Sequence, residues 1–268
     1  MKLILNEWRK YLSKSTYTIV MPLILLFVYI FYYGGIYLAV SKSDTTITPE
    51  ESDKIFIWGM TICYYYSNYI AILMASNTLS TEISSGTIKF ILTRPYQRYK
   101  ILLAKIGSII LFMPVLQILS AIGVLLLQLL ATAHLPEFNA ILKTVVLFIA
   151  LSLVVTIFYS SLALLLSTFT SSTAFITAFC FIYYFFADSL WKIINLRYFD
   201  LSPDSLIYKL SPLNANNYLI ELIKNIYFQS LDVDKDLYIT FTANIVYTCI
   251  LFLIAVMIFR RRDISLAN

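Results

Sequence analysis

Residues 144–187 contain no Asp, Glu, Lys or Arg. At about 1.5 Å rise per residue, one helix of that length would be about twice the roughly 30 Å hydrocarbon core of a bilayer. The run therefore reads as two spans with a tight turn between them. The hydroxyl-rich stretch Ser167-Thr168-Phe169-Thr170-Ser171-Ser172-Thr173 is the turn, which places spans at 144–166 and 173–187. Three further charge-free runs, 15–41, 55–81 and 106–133, are each long enough for one crossing. Only 13% of the residues are charged and 60% are hydrophobic, against about 25% charged in soluble domains. The chain reads as one all-α integral membrane domain.

Six spans follow, at 16–40, 55–80, 106–132, 144–166, 173–187 and 238–259. The first run is longer than the apolar core of a signal peptide, about 7–15 residues, and reads as a retained span. Placing residues 1–14, the segment 82–105, the 167–173 turn and the C-terminus on the cytoplasmic side puts 12 Lys and Arg there against three acids. The other side holds eight cations and twelve acids. This obeys the positive-inside rule and gives a multi-pass protein of the plasma membrane with both termini cytoplasmic. The cations sit at span ends and form no continuous patch, which argues against nucleic-acid binding.

Several segments have a pattern of their own. In residues 2–14, Ile4, Leu5, Trp8, Tyr11 and Leu12 share one helical face, and Lys2, Asn6, Arg9, Lys10 and Ser13 take the other. That is an interfacial amphipathic helix. In the second span Thr61, Tyr65, Asn68 and Ser76 draw a polar stripe near helical period. Lipid offers such groups no hydrogen bonds, so the stripe faces either another helix or a pathway through the membrane. Ser152, Thr156 and Ser160 form a small-residue ridge suited to close helix packing. The loops at 41–54 and 133–143 are short and external. The long loop 188–236 carries two apolar helical patches, Leu206–Leu210 and Tyr218–Leu231, around Ser211-Pro212. It reads as a re-entrant hairpin over 205–231 or a small folded external loop.

Much chemistry is unrepresented. No charge falls within a span core, whereas ion-coupled carriers usually need intramembrane carboxylates. No glycine spacing makes a phosphate-cradling loop, and neither HExxH nor GxSxG occurs. Cys63, Cys180 and Cys249 lie singly within spans and form no disulfide framework or metal set. His134 has no ligand-forming neighbours. An enzyme is not indicated, no metal site is expected, and any energy must come from outside the membrane domain.

Between the second and third spans lies Glu82 to Lys105, with five cations (Lys89, Arg94, Arg98, Lys100 and Lys105) and the single carboxylate Glu82. Ser84-Ser85-Gly86 is expected to break the preceding helix. Thr87–Thr93 follows as a short amphipathic piece, with Ile88, Ile91 and Leu92 facing the membrane or a partner groove. Pro95 then stops it, because the residue before proline avoids helical geometry. The cations point to water, lipid headgroups or an acidic partner.

The pattern Glu82…Gly86-Thr87-Ile88-Lys89…Leu92…Arg94-Pro95…Arg98, followed by Lys105, resembles that of ABC-2 type permeases. These are membrane subunits of type V ABC exporters, including bacitracin and lantibiotic immunity transporters. The N-terminal helix, six spans, the large loop before the last span and the terminal Phe259…Arg-Arg-Asp263-Ile264 also resemble that family. Ala104 stands where many members have Gly, and Tyr96-Gln97 where Val or Ile then Ser is usual.

The resemblance implies a coupling helix at 83–93 within a coupling segment at 82–100, seated on a separate cytoplasmic ABC ATPase. Residues 2–14 would be the connecting helix. Two permease chains, identical or paralogous, would work with two ATPase copies. ATP and Mg²⁺ would bind in the ATPase, leaving this chain without a cofactor of its own. The substrate class implied is amphiphilic: an antimicrobial peptide, a drug or a lipid, as in antibiotic resistance or immunity. The competing reading from the same residues is a membrane scaffold or sensor whose ATPase partner drives something other than transport.

Overall fold

The computed structural model describes residues 2–13, 29–30, 32–37, 48–88, 97–132, 135–201, 205–211 and 235–261. Within them the protein is all helical. The elements are α1 (Lys2–Ser13), α2 (Pro49–Ser84), α3 (Arg98–Thr132), α4 (Phe138–Phe169), α5 (Thr173–Ile194), a π-helical turn (Asn195–Phe199), α6 (Leu206–Leu210) and α7 (Lys235–Arg261). Among the described residues three stretches are long and apolar enough to cross a membrane: Arg98–Thr132, Phe138–Phe169 and Tyr238–Arg261. Thr173–Ala187 with Ser189–Phe199 makes a fourth if that bent pair is one span. α2 is helical throughout but is not in this group. The 16–40 span and the 205–231 hairpin lie largely outside the described residues.

Boundaries moved where local chemistry favours more helix than charge alone indicates. α2 begins at Pro49, six residues before the expected span. The Thr48 N–H donates to Glu51 Oε2 at 2.8 Å, and the Glu51 N–H donates back to Thr48 Oγ1 at 3.3 Å. This is a capping box with proline at the first helical position, where its missing N–H is not needed. The bonds from the Thr48 N–H and hydroxyl also hold the Glu51 carboxyl below its ordinary pKa. α3 begins at Arg98 rather than 106 and runs on through Pro114. α4 begins at Phe138, so the expected 133–143 loop is shorter. α5 continues past 187, turning by 53° between Ala187 and Ser189. Trp191 beyond the bend lies against Phe199 and Tyr208, with ring centroids 6.2 and 6.0 Å away. Ser172, the last residue before α5, caps it by accepting from the Phe175 N–H, a role serine favours.

The chain divides into two compact units. In the unit of Trp8–Ile70 and Leu111–Leu153, Tyr29 and Tyr33 turn inward. The Tyr29 hydroxyl meets Cys63 Sγ. A Cβ at Gly59 would overlap the Tyr33 hydroxyl, so glycine makes room for the ring. Gln117 Nε2 donates to Ser67 Oγ at 2.6 Å, and Gln128 Nε2 donates to the Ser52 carbonyl and hydroxyl, both at 2.9 Å.

The other unit comprises Met1–Glu7, Ala71–Ile110 and Val154–Asn268. Its core cluster is Leu79, Ile88, Leu102, Ile106, Leu164 and Phe259. Tyr159 packs edge-on against Tyr183 and Tyr184. Thr156 and Ser160 of the small-residue ridge are fully buried here, and Ser152 is fully buried in the first unit.

Thr48→Ala should destabilise the start of α2 by about 1 kcal/mol. Hydrogen exchange should show faster amide exchange confined to residues 50–53. Unchanged protection there would mean the capping box does not hold the helix start.

Candidate functional site

The expected coupling segment opens where α2 ends. The Ser85 N–H bonds the Thr81 carbonyl at 3.0 Å and the Gly86 N–H bonds the Ile83 carbonyl at 3.2 Å. Gly86 has φ 71°, the left-handed region that glycine enters at no steric cost. Thr87 Oγ1 then reaches back to the Glu82 carbonyl at 3.4 Å. Gly86 and Thr87 thus terminate α2 and turn the chain, as the sequence indicates. Space is not the reason for the glycine, because nothing lies within 4 Å of a Cβ placed there.

Glu82 does not face outward. Its Oε2 accepts from Lys105 Nζ at 2.6 Å. The same ammonium donates to the Thr78 carbonyl at 2.9 Å and lies 3.7 Å from Glu7 Oε2. The last is an ion-pair distance rather than a hydrogen bond. Lys105 is only 1% exposed, and the two carboxylate side chains are 12–13% exposed. One buried cation on the second turn of α3 therefore ties together α1 and the last turns of α2. α1 also approaches α3 closely at Gly107, where a Cβ would lie 3.2 Å from Ile4 Cδ1.

Ile88, expected to face the membrane or a partner groove, is instead fully buried against Leu79, Leu102, Ile106, Leu164 and Phe259. The physical reason is the Gly86 turn: it reverses the chain at the end of α2 and returns the next large apolar side chain to the core. Arg98 is also redirected. Its Nη1 donates to the carbonyls of Phe259 at 2.9 Å and Arg260 at 3.1 Å, at the C-terminal end of α7. Lys100 is exposed, with its ammonium 5.9 Å from the centroid of the Tyr99 ring. Lys89, Leu92, Arg94 and Pro95 lie outside the described residues. The outward rim of the described segment is Ser84, Ser85, Thr87, Gln97, Tyr99 and Lys100.

The polar stripe of α2 turns largely inward. Thr61 is buried and donates to the Ile57 carbonyl at 2.8 Å. Asn68 is fully buried, and Tyr65 is half-buried. Ser76 is buried and accepts from Thr177 Oγ1 of α5 at 2.7 Å. Of the two readings of the stripe, the helix-facing one describes Ser76. Among the described residues no three His, Cys, Asp or Glu side chains come together as metal ligands.

Sequence reasoning missed Glu7 as a partner of Lys105 and missed the grip of Arg98 on α7. A signal for the shared orientation was present: Arg98 and Lys105 are seven residues apart, two turns along one helix face. Their partners, 161 and 23 residues away in sequence, left no local trace.

A family model matches residues 46–265. The chain belongs to the family described as Protein of unknown function (DUF2705). The matched region takes in α2 to α7, and with them Glu82, Lys105 and Arg98, but begins after α1. Comparison with curated proteins finds no match.

Lys105→Met should lower unfolding stability in detergent by about 3–5 kcal/mol, the usual effect of removing one partner from a buried ion pair. Adding Glu82→Gln should recover part of that loss. An unshifted unfolding midpoint in Lys105→Met would mean the pair does not hold these helices. Gly86→Ala should cost about 1–2 kcal/mol through its backbone conformation alone.

Proposed function

We propose that this chain is the membrane-spanning permease of an ATP-driven exporter, worked by a separate cytoplasmic ABC ATPase. In this reading six spans cross the plasma membrane, α2 among them, with both ends cytoplasmic. Two permease chains act with two ATPase copies, and the cargo is amphiphilic: an antimicrobial peptide, a drug or a lipid.

The observation that carries the reading is the construction of the segment joining α2 to α3. On its inner side it is fixed by the Glu82–Lys105 pair, the buried Ile88 and the Gly86 turn. On its outer side it presents Ser84, Ser85, Thr87, Tyr99 and Lys100. Ends held from behind in this way, with an exposed polar and aromatic rim, suit docking of a protein that pushes on them. Charge-free span cores in the sequence agree, since they leave energy to be supplied by a partner. The resemblance of Glu82…Gly86-Thr87-Ile88…Pro95…Arg98 to ABC-2 permeases names that partner as an ATPase.

The test is affinity purification from native membranes in mild detergent, with mass spectrometry of the associated proteins. A stoichiometric Walker-type ATPase should accompany the chain. Tyr99→Ala combined with Lys100→Glu should reduce its recovery at least several-fold without lowering the amount of permease in the membrane. Absence of any ATPase across several detergents would overturn the exporter reading. An ATPase that associates but drives no efflux would replace it with the scaffold or sensor.

A further inference from the structure

Most of α7's apolar surface is turned away from the rest of its unit: Ile245, Val246, Ile250, Leu253 and Met257 are exposed. It is attached within the unit along its other face, where Phe252 and Val256 pack against the core cluster. The Tyr247 hydroxyl donates to the Leu210 carbonyl at the end of α6, at 2.6 Å. Phe259 is fully buried beside Ile88, Leu102 and Ile106. Immediately beyond it, Arg98 grips the carbonyls of Phe259 and Arg260.

Arg98 stands in the first turn of its own helix, where the positive end of the helix dipole disfavours a cation. No acidic residue in that turn offsets it. The position is favourable only from the other side. The last carbonyls of α7 lack intrahelical partners and carry the negative end of that helix. One Nη1 group, with two hydrogens, satisfies two of them. Arg98 therefore joins the start of α3 to the end of α7.

We propose that Arg98 is a positioning residue that latches α7 to the start of α3, so that α7 works as a rod carrying displacement of that end of α3 to α6. This rests on the exporter reading for the source of the displacement, but the latch itself does not require it. Residues 206–210 would then move with the start of α3 through the Tyr247–Leu210 bond.

The experiment uses the full chain in phospholipid nanodiscs, in a background lacking Cys63, Cys180 and Cys249. Spin labels are placed at the exposed positions of Lys100→Cys and Arg261→Cys. Electron–electron double resonance should give a narrow distance distribution with Arg98 present. It should broaden at least twofold in Arg98→Gln, and Arg98→Lys, which keeps a charge but not the guanidinium fork, should restore it in part. In the complex with its ATPase, Arg98→Gln should lower kcat for MgATP several-fold while KM for MgATP stays the same. An unchanged distribution in Arg98→Gln would overturn the latch. So would loss of ATPase association in Arg98→Gln with the distribution intact, because Arg98 would then be a contact for the partner. If no ATPase accompanies even the parent chain, the exporter reading fails, and the distance measurement still decides the latch.

Discussion

The unit that holds the junction of α2 and α3 depends on one buried ammonium. Lys105 lies where water does not reach, and an unpaired charge there would be worth several kcal/mol of instability. The charge is tolerable only because Glu82 and the Thr78 carbonyl accept from it, with Glu7 close by. Those partners come from the end of α2 and from α1, so satisfying the lysine fixes both relative to α3. Glu82 in turn lies one turn before the Gly86 bend, and the bend decides that Ile88 enters the core. The outward rim at Ser84, Ser85, Thr87, Tyr99 and Lys100 is what remains once those inner demands are met.

A second constraint is that apolar surface does not by itself draw helices together in lipid. Lipid tails are as apolar as leucine, so association relies on close packing and on interhelical hydrogen bonds of about 0.6 kcal/mol on average. The described helices use both. Gly59 and Gly107 let Tyr33 and Ile4 approach closely. Gln117, Gln128 and Thr177 each reach a hydroxyl or carbonyl on α2. Their α2 partners Ser67 and Ser76 weaken the hydropathy signal of that helix for the same reason that they hold it in place. α7 is held by the Tyr247 bond to Leu210, by the grip of Arg98 on the Phe259 and Arg260 carbonyls, and by packing of Phe252, Val256 and Phe259 in the core.

Much of this was legible in the sequence and some was not. The Gly86 break, the helix over 2–13 and the short helix at Leu206–Leu210 follow from local rules, and the structure has them. Helices run past the expected span ends wherever helix propensity outran charge. Arg98 to Lys105 is helical although polar, and α5 runs on past Ala187 because its apolar pattern does not stop there. Ile88 was read from amphipathic spacing as outward-facing, because spacing fixes which residues share a face but not where that face points.

The sequence by itself determined the helical, lipid-compatible character of the chain. It also determined the position of the polar segment between α2 and α3, because charge depletion over 20 or more residues leaves a backbone few other choices in a bilayer. It determined as well that Gly86 would turn the chain, since only glycine enters that conformation freely. Only the tertiary structure decided that Lys105 answers Glu82 and Glu7, that Ile88 is core, and that Arg98 belongs to α7 as much as to α3. Each of those depends on which distant helix lies opposite. A cation at a span end looks the same in sequence whether it meets water, a headgroup or a buried carboxylate, and packing alone distinguishes them.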